Sequence, residues 1–258
     1  MLGASLIVSV GLLSYQPTVQ IRPAAETNPI QWSGNFDTGD TSQWDLETAK
    51  KYSLTVSDGG AGHPTAGRFE VRDGDTPVDS GERSEADAPD WTNVSDGDER
   101  WYDFSMMFDK SFPVPTSFCD PMQWHPANSD GSAADGSPQL NLQCGSDDML
   151  SLEVGKDTLL PIGSLDRGVW HHYLLHVKFS KDPNVAFQEM YRDGQVVIPK
   201  TSGIEANMET PKLYLKIGIY RDSDNDGPMI VWHDDMTIYT SAPASPATPA
   251  TPASGCST

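Results

Sequence analysis

The chain runs to 258 residues and carries 37 acidic against 17 basic side chains, a formal net charge of −20. That balance excludes nucleic acid as a partner, since no basic surface is left over to neutralise phosphates. Twenty-two glycines, twenty prolines and only short alternating segments argue against a helical bundle and favour a single all-β domain.

The first residues, MLGASLIVSVGLL, form an apolar run too short to span a bilayer, and no Lys or Arg precedes Arg22. The run is similar to the apolar core of a secretory signal, so residues 1–27 are expected to be a leader. Export and a membrane-free mature protein follow from that expectation. The folded body is expected over 28–241. Residues 242–258, rich in Pro, Ala, Ser and Thr, offer too little apolar surface to offset their ordering entropy and are expected to be a disordered tail.

Within the body, GRFEVRD (67–73) alternates and GERSEA (81–86) follows a turn. Asn93-Val94-Ser95 is a glycosylation sequon, relevant only in a eukaryotic host. RWYDFSMMFD (100–109) puts Tyr102, Phe104, Met106 and Phe108 on one face. MQWH (122–125) and PQLNLQC (138–144) align as a hairpin if Gln123 lies opposite Asn141. Gln123, His125, Gln139, Asn141 and Gln143 then share a polar face, with Met122, Trp124, Leu140 and Leu142 behind. This register leaves Cys119 one residue out of step with Cys144, and a bulge at Pro121 would restore the match for a disulfide. Strands follow at 150–154, 170–180 and 185–198, the last folded back at Asp193-Gly194. KLYLKIGIYRD (212–222) alternates Leu213, Leu215, Ile217 and Ile219 with Tyr214, Lys216, Gly218 and Tyr220, and MIVWHDDMTIY closes the body. Roughly a dozen strands and no helix predict a single-domain β-jelly roll, a concanavalin A-like two-sheet sandwich.

Three segments place chemistry on the polar side of a strand. Arg83 and Glu85 share one face, Gln123 and His125 another, and Lys216 and Tyr220 a third. Each alone is compatible with a structural ion pair, a satisfied histidine or a surface ring. Together, in this order, they resemble the signatures of the β-jelly-roll polysaccharide lyases: heparin lyase I, glucuronan lyase and, more distantly, alginate lyase. Those families carry R-x-E, Q-x-H and Y-x-K-x-G-x-Y segments on a concave sheet lining the substrate groove. FEVRDGDTPVDSGERSE, RGVWHHYLLHVKFS and YLKIGIYRD extend the likeness to heparin-lyase-I-like domains over most of residues 34–241.

The resemblance implies β-elimination in a 4-linked uronic acid polymer. The C5 proton becomes acidic only when the adjacent carboxylate is neutralised, a role that falls here on Gln123 and Arg83. His125 and Tyr220 are the implied base and acid, their order set by the sugar's stereochemistry, and Tyr220 can serve as both. Lys216 would tune the phenol or hold a neighbouring carboxylate. Lys216, Glu85, Asn141 and Tyr214 are the expected substrate-binding residues. Few cations against many acids favour a carboxylate-only polymer such as β-1,4-glucuronan over sulfated heparin, with alginate-like chains also behind it.

Two rivals come from other classes. A non-catalytic carbohydrate-binding module accounts for the fold and tail but not for the three segments. A glycoside hydrolase needs two carboxylates across a groove, whereas Glu82 and Glu85 point to opposite faces of a regular strand. NFDTGDTSQWD near the start and HDDMTIY near the end resemble the paired segments that hold structural Ca²⁺ in many jelly rolls. Asp37, Asp40 and Asp234 are the candidate ligands, with ordinary acidic turns as the alternative. No organic cofactor is implied, the partner is an acidic polysaccharide, and a monomer is expected.

Overall fold

A computed structural model of the chain describes residues 29–79 and 81–243. The leader, nearly all of the tail and Cys256 lie outside the described residues. Two eight-stranded antiparallel sheets face each other across one core. The first sheet runs β14 (Gln195–Ser202), β13 (Phe187–Arg192), β12 (His171–Lys178), β7 (Glu99–Phe108), β16 (Met229–Tyr239), β4 (Ala66–Val71) and β3 (Leu54–Ser57), with β1 (Ile30–Gly34) also on β16. The second runs β11 (Thr158–Ser164), β10 (Met149–Val154), β9 (Leu140–Cys144), β8 (Cys119–Ala127), β15 (Lys212–Arg221), β5 (Glu82–Asp87) and β2 (Asp45–Thr48), with β6 (Val94–Ser95) also on β15. Among the described residues the helical content is one 3₁₀ turn, Asp90–Thr92. This is the expected jelly roll.

The alternating pattern fixes which face is inside. Leu213, Leu215, Ile217 and Ile219 of β15 join Met122, Trp124, Leu140 and Leu142 in the core, opposite Tyr102, Phe104, Met106 and Phe108 of β7. Each fully buried Leu or Ile contributes roughly 1.5–3 kcal/mol, so a one-residue slip of β15 is strongly disfavoured. Gln123 pairs with Asn141 as expected, and the register shifts between Cys119 and Met122. That bulge brings Cys119 opposite Cys144, where a disulfide joins them at a Cα–Cα distance of 5.0 Å.

A second irregularity interrupts β15 against β8 between Ile217 and Tyr220. Gly218 sits inside it at φ +133°, and a Cβ there would meet the Ser84 carbonyl oxygen at 2.2 Å. Only glycine tolerates that conformation and that approach. At the other hairpin, Asp193 and Gly194 both take positive φ (52° and 75°), as a two-residue turn with matching twist requires.

Five short or edge strands escape the pattern. β1, β2, β3 and β6 are too short for period two to register, and β11 carries Pro161, which an edge strand accommodates. Asn93 of the sequon has both amide atoms buried without a hydrogen-bond partner, so this asparagine does not present its nitrogen for glycosylation.

Candidate active site

The outward face of the second sheet is built in ranks. At one level Glu153, Asn141, Gln123, Lys216 and Asp87 lie side by side across β10, β9, β8, β15 and β5. Asp120, Tyr220 and Arg83 form the rank beyond Gly218 and Glu85, and His125 pairs with Tyr214 on the other side. Above them lies a cavity of about 810 Å³ whose walls include Arg83, Asp120, Gln123, His125, Glu153 and Tyr220. A groove of this size holds a few sugar rings.

Its floor is ionic and buried. Glu85, 1% exposed, stands opposite Gly218, where the absent side chain leaves room. It accepts from Arg83 Nη1 at 3.0 Å and from the Gln123 amide, and Lys216 Nζ lies 3.0 Å away. Lys216, also 1% exposed, donates to Glu47 at 2.6 Å, and Arg83 reaches the same carboxylate at 3.3 Å. Burial alone would depress the Lys216 ammonium, yet Glu85, Asp87 and Glu47 outweigh it and raise its pKa. Glu47 moves the opposite way: burial pushes it up, and Lys216 and Arg83 pull it below the usual carboxylate value.

Over this floor stand two half-buried groups that line the cavity, His125 and Tyr220. Burial, reinforced by Lys216, lowers the His125 pKa and favours the neutral imidazole. Its Nδ1 lies 3.3 Å from the Pro126 carbonyl, which can only accept, so Nδ1 carries the proton and Nε2 keeps a lone pair. Tyr220 packs under the Arg83 guanidinium, 4.5 Å from its ring centre, and beside Phe118. Gly81 makes the space for it, because a Cβ there would meet Tyr220 Cε2 at 2.4 Å.

An imidazole and a phenol share one groove above a buried ionic floor, and comparison with known proteins gives the chain a family. A family model described as polysaccharide lyase matches residues 36–237. The chain belongs to the polysaccharide lyase family. No curated protein matches the lyase. Among solved structures it is similar to an endo-β-1,4-glucuronan lyase from the fungus Trichoderma reesei, at 17% identity and a TM-score of 0.65, covering 82% of this chain and 96% of that one. A family 7 alginate lyase solved with its product matches at 16% identity and a TM-score of 0.58, covering 80% and 97%. The globular domain of T. cruzi calreticulin also matches, at 14% identity and a TM-score of 0.54, covering 83% and 88%. The shared fold therefore does not itself carry an activity.

Several of the expected site residues lie deeper than their strand parity implied. Lys216, Glu85 and Asn141, expected to touch substrate, are 1% exposed and engaged with one another's neighbours, so they shape the floor rather than line it. Of the two roles open to Lys216, the contacts are those of holding carboxylates. Tyr214 is buried at 7% exposure, edge-on to His125 with ring centres 5.5 Å apart, and borders a smaller acidic recess of about 120 Å³ with Glu47 and Asp87. Glu82 points away from Glu85 and pairs with Arg221. Sequence reasoning missed Glu47, which comes from the edge strand β2, and also Asp87 and Asp120. Burial raises Asp87 to about 8 and holds Asp120 well above the usual carboxylate range. Parity with Arg83 and Glu85 was a signal for Asp87, whereas Asp120 reaches this face only through the register shift between Cys119 and Met122.

The expected metal ligands do not converge. Asp37 accepts from Asn35 at 2.6 Å and from Thr65 at 3.5 Å, and Asp40 accepts from Thr38 and Ser42 of its own turn at 2.9 and 2.6 Å. Asp234 instead joins His63 and Asp235, the group of potential ligands that does come together among the described residues. Its His63 nitrogen suits calcium, which prefers an all-oxygen shell, less well than three carboxylates would.

Proposed function

We propose that this lyase cleaves 4-linked uronic acid polymers by β-elimination, with polyglucuronate as the best-fitting substrate. The observation that carries the reading is one groove bringing His125 and Tyr220 above Gln123 and Arg83. A uronate carboxylate held at Gln123 and Arg83 loses part of its charge, which acidifies C5. The base takes the C5 proton, the C5 electrons form the C4–C5 double bond, and the C4–O4 bond breaks. The acid then protonates the departing oxygen, leaving a 4,5-unsaturated uronate. Where the two bonds lie on opposite faces of the ring, His125 and Tyr220 divide the tasks. Where they share a face, Tyr220 performs both. The groove shows few cations besides Arg83 and Lys156, which supports a polymer without sulfates. The signal-like leader and the disulfide support a secreted enzyme.

The test is a panel of polyglucuronate, alginate and heparin, monitored by the ultraviolet absorbance of the unsaturated product. Tyr220→Phe keeps the ring and removes the hydroxyl, so turnover should fall about 10²-fold or more with folding intact. Elimination at the wild-type rate by this variant would overturn the site. Cleavage without unsaturated ends would identify a hydrolase, and binding without cleavage a carbohydrate-binding module.

A further inference from the structure

The proposed reaction makes a demand that the engaged residues meet only in part. Gln123 gives an amide proton to Glu85, and Arg83 Nη1 serves both Glu85 and Glu47. Lys216 is sealed beneath them. Gln123 and Lys216 are thus already bound to protein carboxylates, and Arg83 keeps one buried, unpartnered donor, its Nε. Gln123 Oε1 and Asn141 Oδ1 are also buried without partners, so two unpartnered acceptors stand against that one donor.

Asp120 occupies the same corner. It lines the groove at 4% exposure, beside Tyr220 in the register, at the bulge that precedes Gln123. Its Oδ1 accepts from Asn141 Nδ2 at 3.1 Å. No cation is paired with it among the described residues. The charged and titratable groups around it are Glu153 on β10, Glu85 and Arg83 on β5, Tyr220 on β15 and His125 on its own strand. Glu153 and Glu85 both disfavour a further negative charge there, and burial disfavours it more. An ionised Asp120 would repel a polyanion, whereas an un-ionised one is a hydrogen-bond donor.

We infer that Asp120 is a further substrate-contacting residue, whose carboxylic acid donates a hydrogen bond to the uronate carboxylate held at Gln123. The inference rests on the uronate reading above. The proton stays on Asp120 throughout: C5 gives its proton to the base, O4 receives one from the acid, and Asp120 begins and ends the cycle protonated. Its part is to withdraw charge from the substrate carboxylate, as a main-chain donor would.

Asp120→Asn keeps the shape, the acceptor for Asn141 and a donor that cannot ionise. Asp120→Leu keeps the volume and removes the donor. Both are made in the wild type for turnover and in Tyr220→Phe for calorimetric binding of a uronic acid trisaccharide, with circular dichroism confirming the fold. Asp120→Asn should keep turnover and binding within a few-fold at neutral pH and hold them at alkaline pH where Asp120 itself ionises. Asp120→Leu should lose turnover on the order of 10²-fold and bind more weakly at neutral pH. Asp120→Leu matching the wild type in binding, or a folded Asp120→Asn as impaired as Asp120→Leu, would overturn the inference. If no unsaturated product forms but the binding pattern holds, the elimination reading falls and the Asp120 contact stands.

Discussion

Both sheets turn charged side chains outward, and they use them differently. On the first sheet, histidines meet acids in separate, partly buried pairs: His172 with Asp103, His176 with Glu99 and Glu189, and His171 with Asp193. Trp101 stacks on His176 with ring centres 4.2 Å apart, filling the space between neighbours. On the second sheet, Lys216, Glu85 and Arg83 are buried in a shared network beneath a groove. Burying charges is costly even when they are paired. A fold that needed only a polar exterior could use the first arrangement, and the second lies beneath the groove proposed for catalysis.

The strongest way to break this comparison is Lys216→Met. It leaves Glu47 and Glu85 with Arg83 alone, and a buried carboxylate losing its partner costs about 3–5 kcal/mol, here toward the lower end. Denaturant unfolding should show that loss together with near-abolished turnover. The double variant Lys216→Met/Glu85→Gln should recover much of the stability and none of the activity. A single variant as stable as the wild type would make the floor no different from the histidine–acid pairs of the first sheet.

Gly81→Ala should separate activity from stability. The added methyl displaces the Tyr220 ring, so turnover should fall on the order of 10-fold, corresponding to about 1.4 kcal/mol in the barrier. Thermal unfolding should change little. Unchanged kcat with a lowered Tm would show that the ring moves freely and Gly81 serves the fold.

Asp87→Asn sharpens the electrostatic side. The folded state holds this carboxyl up to about 8, chiefly through burial, so ionisation opposes folding as pH rises from about 4 to about 8. The variant should match the wild type in acid and be more stable at alkaline pH, by roughly 2–4 °C in Tm for each kcal/mol. Equal melting curves at both ends would place Asp87 in ordinary solvent.

The smallest effect belongs to the other face. Burial pulls the His172 pKa down, but the hydrogen bond to Asp103 outweighs it and raises it above its ordinary value. That pair therefore contributes stability below about pH 6.5, which is lost as pH rises through the folded-state pKa. His172→Gln should lower Tm in acid, leave it nearly unchanged in alkali, and leave kcat/KM untouched. A fall in kcat/KM would give the first sheet a share in the reaction.

Much of this was legible in the sequence because period two is a geometric rule. Leu213, Leu215, Ile217 and Ile219 assigned the two faces of β15, and the misfit of Cys119 with Cys144 located a bulge at Pro121 before any coordinates. Depth was not legible. Parity puts Lys216 and Tyr220 on the same side of a strand but does not say that one is sealed under Glu47 while the other lines a cavity. Glu47 was out of reach because its strand is four residues long and joins the site through β5. The Asp234 partner His63 was missed because no spacing rule links residues 171 positions apart.

The Cys119–Cys144 bridge has a consequence for how the groove comes into being. It closes a separation of 25 residues, which in a chain-entropy account removes about 3.5 kcal/mol of freedom from the unfolded chain. Its position matters as much, because it fastens β8 to β9 at the very bulge that sets the phase of Gln123 and His125. Shifted by one residue, β8 would send both side chains inward and bring Met122 and Trp124 out. The bridge is a registration pin, and it makes the timing of thiol oxidation part of the assembly of the catalytic face. Refolding with the bridge closed from the start should yield active enzyme faster than refolding from reduced chain, with the difference read as the lag before turnover appears.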